Sequence, residues 1–182
     1  MRHRTLSELE SRLDDVRDSP KERGTLELIV RRPAPAEREV LEEGVLDAVE
    51  GLLGDRWLES TRGASGKRAD PDRQLTVMNA RSAALFAGVR ERWALAGDQL
   101  YVDLDVGQAN LPPGSRLSVG EAVIEVTPPP HTGCAKFVRR FGIDAQKLTK
   151  APIGRELKLR GINARVITPG TIRWGDPVTK LS

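Results

Sequence analysis

Residues that carry chemistry are scarce in this chain. A single cysteine, Cys134, excludes an internal disulfide and fits a reducing, cytoplasmic setting. The two histidines, His3 and His131, leave too few nitrogen and sulfur ligands for a closed structural zinc site. Aromatic side chains make up 4% of the 182 residues, so the core must be mainly aliphatic. No apolar run is long enough to span a bilayer. The N-terminus lacks the apolar stretch of a signal peptide and is too acidic for a transit peptide. Charge of one sign is also in short supply: 29 Lys and Arg stand against 26 Asp and Glu, a net charge of +3. That mild excess suits a small anionic ligand and gives no indication of nucleic acid. No glycine-rich phosphate loop follows a strand, and no internal repeat or low-complexity tract is present.

What is there reads as many short strands with a few helices. The length gives one domain with room for a real core. Thr5 to Asp18 predicts an amphipathic helix. Thr5 and Glu8 have capping-box spacing, Leu6, Leu9, Leu13 and Val16 share a face, and Pro20 follows. Residues 1–20 therefore form an N-terminal appendage, and 21–182 the domain. Strands are expected at 26–31, 75–78, 101–106, 116–119, 122–127, 156–160, 163–168 and 171–179, with 39–43 as a further candidate. Val45 to Leu53 fits either helix or loop, and Ala80 to Arg92 fits a helix. The stretch Thr61 to Gln74 reads as a polar, solvated loop. Short strands separated by Gly and Pro turns specify a mainly β fold, a barrel or sandwich with a few peripheral helices.

The segment Pro128-Pro129-Pro130-His131-Thr132-Gly133-Cys134 leads into a helical run, with Phe137 and Phe141 at i,i+4. Thr132 is the expected N-cap. A thiol at a helix N-terminus, with Lys136, Arg139 and Arg140 nearby, is set for thiolate chemistry, whereas a cysteine in an aliphatic core is inert. Gly133 would let a ligand approach the thiol and the backbone amides. His131 lies too close in sequence to Cys134 to be aimed at it as a base, which argues against a hydrolase. What remains is a thiolate that binds a soft metal or carries sulfur. Candidate anion binders are Arg31, Arg32, Arg56, Arg73, Arg81, Lys136 and Arg139.

From about Leu26 to Leu181 the chain resembles the MOSC domain family, named for the C-terminal domain of molybdenum cofactor sulfurases. Four segments carry the resemblance. They are Gly51-Leu52-Leu53-Gly54-Asp55-Arg56-Trp57; Ala109-Asn110-Leu111-Pro112 with Leu117-Ser118-Val119-Gly120-Glu121-Ala122; Glu125-Val126-Thr127-Pro128 before Cys134; and Gly161-Ile162-Asn163-Ala164-Arg165-Val166 with Trp174-Gly175-Asp176-Pro177-Val178. The sequence departs from the family pattern at Gly133, where proline often precedes the cysteine, at Trp57, where many relatives have histidine, and at Ala109, where the family has glutamate.

The resemblance implies a MOSC-like β-barrel with the cysteine facing a cleft, and a link to the pterin-based molybdenum cofactor. Carried over by position, Cys134 is the catalytic residue and the metal or sulfur ligand. Asn110 and Arg165 fall on family motif positions. The expected cofactor contacts are Arg56, Arg81, Asn110, His131, Lys136 and Arg139. The implied role is a stand-alone cofactor-binding protein, a small oxidoreductase or a sulfur or cofactor carrier. The alternative is a non-enzymatic binding module that keeps the barrel without the cofactor. No pyridoxal-phosphate region or electron-transfer domain is seen in the sequence, so sulfur or electrons would come from a donor protein. Neither a specific nucleic acid nor a membrane is expected as a partner.

Overall fold

A computed structural model describes residues 2–62 and 69–182. The strands are β1 (Arg23–Arg31), β2 (Glu39–Leu41), β3 (Glu43–Asp47), β4 (Gly51–Leu52), β5 (Leu75–Asn79), β6 (Leu100–Val102), β7 (Arg116–Val119), β8 (Ala122–Val126), β9 (Ile162–Thr168), β10 (Gly170–Arg173) and β11 (Pro177–Leu181). The helices are α1 (Leu6–Glu10), α2 (Leu13–Arg17), α3 (Trp57–Arg62), α4 (Ala80–Ala87), α5 (Ala135–Phe141), α6 (Ile143–Lys150) and α7 (Pro152–Glu156). Short 3₁₀ segments cover Pro71–Arg73 and Arg90–Ala96.

Seven strands close into a barrel in the order β11-β7-β8-β9-β5-β6-β1, with β1 pairing back onto β11. Closure removes the free sheet edges that would otherwise invite association. Its neighbours are antiparallel except β5 and β6, which run parallel with α4 on the connection between them. β2 extends β1, and β10, β3 and β4 make a second, three-stranded sheet. The mainly β barrel with peripheral helices is therefore the fold expected from the strand and turn pattern.

Period-two alternation sorts the apolar residues into two cores. Leu75 and Val77 of β5, and Leu100 and Val102 of β6, face the barrel interior, while Met78 and Tyr101 face outward under the helices. Strand β1 serves both cores. Its register shifts between Leu26 and Leu28, which sends Leu26 and Ile29 inward and Leu28 and Val30 outward. Leu9, Leu13 and Val16 pack into the outer core with Phe86, Phe137 and Phe141. No helix among the described residues is long and apolar enough to cross a membrane.

Several sequence expectations change. Thr5 to Asp18 forms two short helices rather than one, broken near Ser11 and Arg12. The Thr5–Glu8 capping box is present, with the Thr5 amide 2.7 Å from Glu8 Oε2. Val45 to Leu53 is neither helix nor loop but most of the β3–β4 hairpin. Strand β6 stops at Val102: the Asp103 amide still bonds the Thr25 carbonyl of β1, but the Asp105 amide turns to the Pro20 carbonyl, outside that strand. The helix expected over Ala80 to Arg92 ends at Ala87, where Gly88 takes φ +78°. Of the loop expected over Thr61 to Gln74, residues 63–68 lie outside the described residues.

The largest departure concerns the site. No strand runs over 156–160. Pro152 opens α7, Gly154 packs against the Leu148 carbonyl, and Lys158 adopts a left-handed φ of 49°. A tight αα turn followed by a left-handed residue replaces the strand. It brings Lys150, Arg155, Lys158 and Arg160 onto one cavity wall.

Candidate functional site

The site is built on the loop that leaves β8 and enters α5. Three contacts tie that loop to the barrel. The Thr127 amide donates to the Asn163 carbonyl at 3.0 Å, the Thr127 hydroxyl to the Asp72 carbonyl at 2.5 Å, and Asn163 Nδ2 to the Pro129 carbonyl at 2.9 Å. The proline run is thereby held from both ends, and the residues after it arrive in a fixed place.

Cys134, not Thr132, is the N-cap of α5, with φ −115° and ψ 177°. Its backbone carbonyl accepts from the Phe137 amide at 2.9 Å, and its thiol is exposed. Partial burial pushes the thiol pKa up. The Phe137 and Lys136 amides, with the charges of Arg160 and Lys136, pull it further down, so the net shift is below the ordinary thiol value. Phe137 and Phe141 anchor the helix at ring centroids 5.0 Å apart, as their i,i+4 spacing predicts.

The three residues before Cys134 line a cavity of about 320 Å³, within the range of small-ligand sites, although Cys134 itself is not part of its wall. His131, Thr132 and Gly133 form one side and the α6–α7 turn the other. At its base is a buried charge network. Arg160 Nη1 donates to Asp98 Oδ2 at 2.6 Å and Nη2 to the Ala96 carbonyl at 2.9 Å. His131 Nε2 lies 2.8 Å from Asp98 Oδ1. Burial alone would raise the Asp98 pKa, but Arg160 and His131 overcome it and hold the carboxyl at about 2. Burial lowers the His131 pKa by more than Asp98 raises it. The imidazole is therefore neutral at pH 7, with Nε2–H donating to the carboxylate and Nδ1 left as its acceptor. The Arg160 guanidinium also stacks on Phe137 at 5.2 Å, which couples the charge network to α5.

The sequence-derived residues are distributed unevenly around this cavity. His131 lines it. Lys136 and Arg139 are exposed on α5 and are not part of its wall. Arg56 is half-buried, and its amide donates to the Arg32 carbonyl; the residue does not line the cavity. Arg81 is paired to Asp103 at 2.7 Å and borders other hollows, with Asp15, Asp18 and Leu85. Asn110 spends Nδ2 on the Lys21 and Asp105 carbonyls and accepts from Lys180 at Oδ1. Arg165 pairs with Glu125 at 2.6 Å on the surface. In the Gly51–Trp57 segment the Asp55 side chain, withdrawn from solvent, receives the amides of Arg32 and Trp57 and the Arg32 fork.

Gly133 was expected to leave space for a ligand. That space is filled instead, because a Cβ there would overlap Gln146 Oε1. Gln146 Nε2 also donates to the Gly133 carbonyl at 3.1 Å. The residues that sequence reasoning missed are Asp98, Gln146, Lys150, Arg155, Lys158 and Arg160. The basic spacing from Lys150 to Arg160 was the available signal, but reading 156–160 as a strand dispersed it.

Among the described residues, no group of three His, Cys, Asp or Glu side chains stands together as a metal site. One thiolate here could only complete the shell of a metal that brings other ligands. A family model of the MOSC domain matches residues 64–179. The chain belongs to the MOSC domain family. Solved structures with the same MOSC fold include the YuaD protein of Bacillus subtilis, at TM-score 0.59 and 20% identity over 86% of this chain and 94% of that one. YiiM of Escherichia coli matches at TM-score 0.55 and 23% identity, over 87% and 70%. A crystal structure titled only as a hypothetical protein matches at TM-score 0.58 and 23% identity, over 92% and 71%. No curated protein matches the chain.

Proposed function

We propose that this MOSC protein holds a pterin-type molybdenum cofactor, with Cys134 as the sulfur ligand. The observation that carries the reading is an exposed cysteine of lowered pKa whose preceding residues, His131, Thr132 and Gly133, line a basic cavity. When bound, the cofactor supplies a metal centre for oxygen-atom, electron or sulfur transfer. The chain's own residues do the rest. The α5 amides and Lys136 favour the thiolate. Lys136 and Arg139, exposed on the same helix, offer charge to an anionic group. His131, neutral and fixed by Asp98, offers an acceptor nitrogen at Nδ1. The role is a small oxidoreductase or a sulfur or cofactor carrier, with a separate protein as donor.

A cofactor-free binding module is the second reading, favoured by the departures at Trp57, Ala109 and Gly133. Molybdenum content separates the two. Purified from a host that makes the cofactor, the wild-type protein should carry about one molybdenum per chain and Cys134→Ser almost none. A metal-free wild-type protein that keeps its fold would overturn the proposal in favour of the module.

A further inference from the structure

We propose that the cavity beside Cys134 is an oxyanion pocket, in which Lys150, Arg155 and Lys158 receive the phosphate group of a ligand whose other end reaches the thiol. The inference rests on the reading that a ligand approaches Cys134. It assigns the anionic end to residues that the family motifs do not include.

Three observations converge on it. First, among the described residues the cavity wall holds Lys150, Arg155, Lys158 and Arg160 and no carboxylate. Arg160 is already held by Asp98. The other three make no ion pair among the described residues, although most arginines on this chain pair with a carboxylate or cap a carbonyl. Three like charges on one wall repel one another in the free protein, and an anion between them relieves that repulsion.

Second, the backbone beneath them is strained and fixed. Lys158 sits at φ 49°, a conformation that disfavours a residue with a Cβ. It is held there by two bonds, from the Gly161 amide to its own carbonyl at 2.6 Å and from the Leu159 amide to the Gly154 carbonyl at 3.0 Å. Such strain at a cavity wall fits a side chain that must be aimed.

Third, two residues of the cavity wall carry no side chain. Gly154 and Gly161 line it, and each is required by close packing, since a Cβ would overlap backbone of Leu148 and Val77 respectively. The wall therefore offers long cationic side chains over a floor without side chains, which suits a compact, highly charged group. An arginine fork beside two ammonium groups matches a phosphate monoester in shape and charge.

The test uses Cys134 as the reporter and needs no bound cofactor. Alkylation of the purified protein by iodoacetate, which is anionic, is compared with alkylation by neutral iodoacetamide. The urea-unfolded chain gives the reference ratio. The folded protein should favour iodoacetate by about fivefold over that reference, and inorganic pyrophosphate should remove the preference at constant ionic strength. Combining Lys150→Gln, Arg155→Gln and Lys158→Asn should abolish the pyrophosphate effect and leave of the iodoacetate preference only the part due to Lys136, Arg139 and Arg160, while the iodoacetamide rate stays near wild type. Asn is chosen because it tolerates the left-handed conformation. Lys147→Gln, on the same helix and paired to Asp144, should change neither. If the ratio equals that of the unfolded chain, or if the triple variant keeps the pyrophosphate effect, the pocket assignment falls. Should the triple variant not fold, the three single changes are read by the same ratio. Molybdenum content plays no part in this test, so the pocket and the cofactor reading stand or fall separately.

Discussion

Arg160 Nη1 and Asp98 Oδ2 stand 2.6 Å apart, with the two side chains 8% and 0% exposed. This pair fixes the base of the cavity and links the turn before β9 to the segment before β6. It also links α5 to both, because the same guanidinium stacks on Phe137. Removing one partner leaves an uncompensated buried charge. Asp98→Asn should therefore destabilise the protein by about 3–5 kcal/mol, read as a shift in urea midpoint. Asp98→Asn with Arg160→Met should recover a large part of that loss, since the double change removes the orphaned charge. A double variant no more stable than Asp98→Asn would refute the charge-pair account.

The pH dependence of stability follows from two shifted groups. His131 has a folded pKa below the ordinary value of 6.5, so the unfolded chain takes up its proton first. Its contribution is complete above that value and declines as pH falls from there toward the folded pKa. Asp98, held at about 2, adds a contribution that is present above the usual 3.8 and is lost between that value and about 2. Unfolding free energy should thus fall in two stages below pH 6.5. His131→Gln should flatten the upper stage, and an unchanged upper limb in that variant would show that another group carries it.

Cys134 should react with iodoacetamide at neutral pH faster than the same thiol in the unfolded chain, because its folded pKa is lowered. Cys134→Ser should change stability by no more than about 0.5 kcal/mol, as expected of an exposed position. Slower alkylation in the folded protein would mean that access, not thiolate fraction, governs the site.

Gly133→Ala should force Gln146 out of its place and break its bond to the Gly133 carbonyl, for a loss of about 1–2 kcal/mol. Gln146→Ala in the same chain frees the space. The second change should then add little further destabilisation, which thermal melts of the single and double variants will show.

Thr5→Ala removes one half of the capping box and should lower stability by about 1 kcal/mol, measured by chemical denaturation. An effect of that size requires α1 to be part of the cooperative unit, since Leu9 lies in the outer core beside Phe86.

The sequence by itself determined most of the barrel strands, because alternation and Gly/Pro punctuation are local signals, although the strand expected over 171–179 divides into β10 of the small sheet and β11 of the barrel. Leu75 and Val77 already alternate along the chain, and Leu117, Val119, Ala122 and Ile124 do so on both arms of one hairpin. It also determined the α5 face, through Phe137 and Phe141, and the capping box at Thr5 and Glu8. The motif order marked the family and Cys134. Tertiary structure alone decided the cavity. Asp98 and Arg160 are 62 residues apart in the chain, and nothing local indicates that they meet. The 156–160 strand failed because its propensity was overruled by close backbone packing at Gly154 and by the left-handed Lys158, neither of which has a periodic signature. Gly133 shows the same limit: its missing side chain reads as open space in the sequence, yet a glutamine thirteen residues later fills it. Periodicity reports which face of an element is buried, whereas a site depends on which distant faces are brought together.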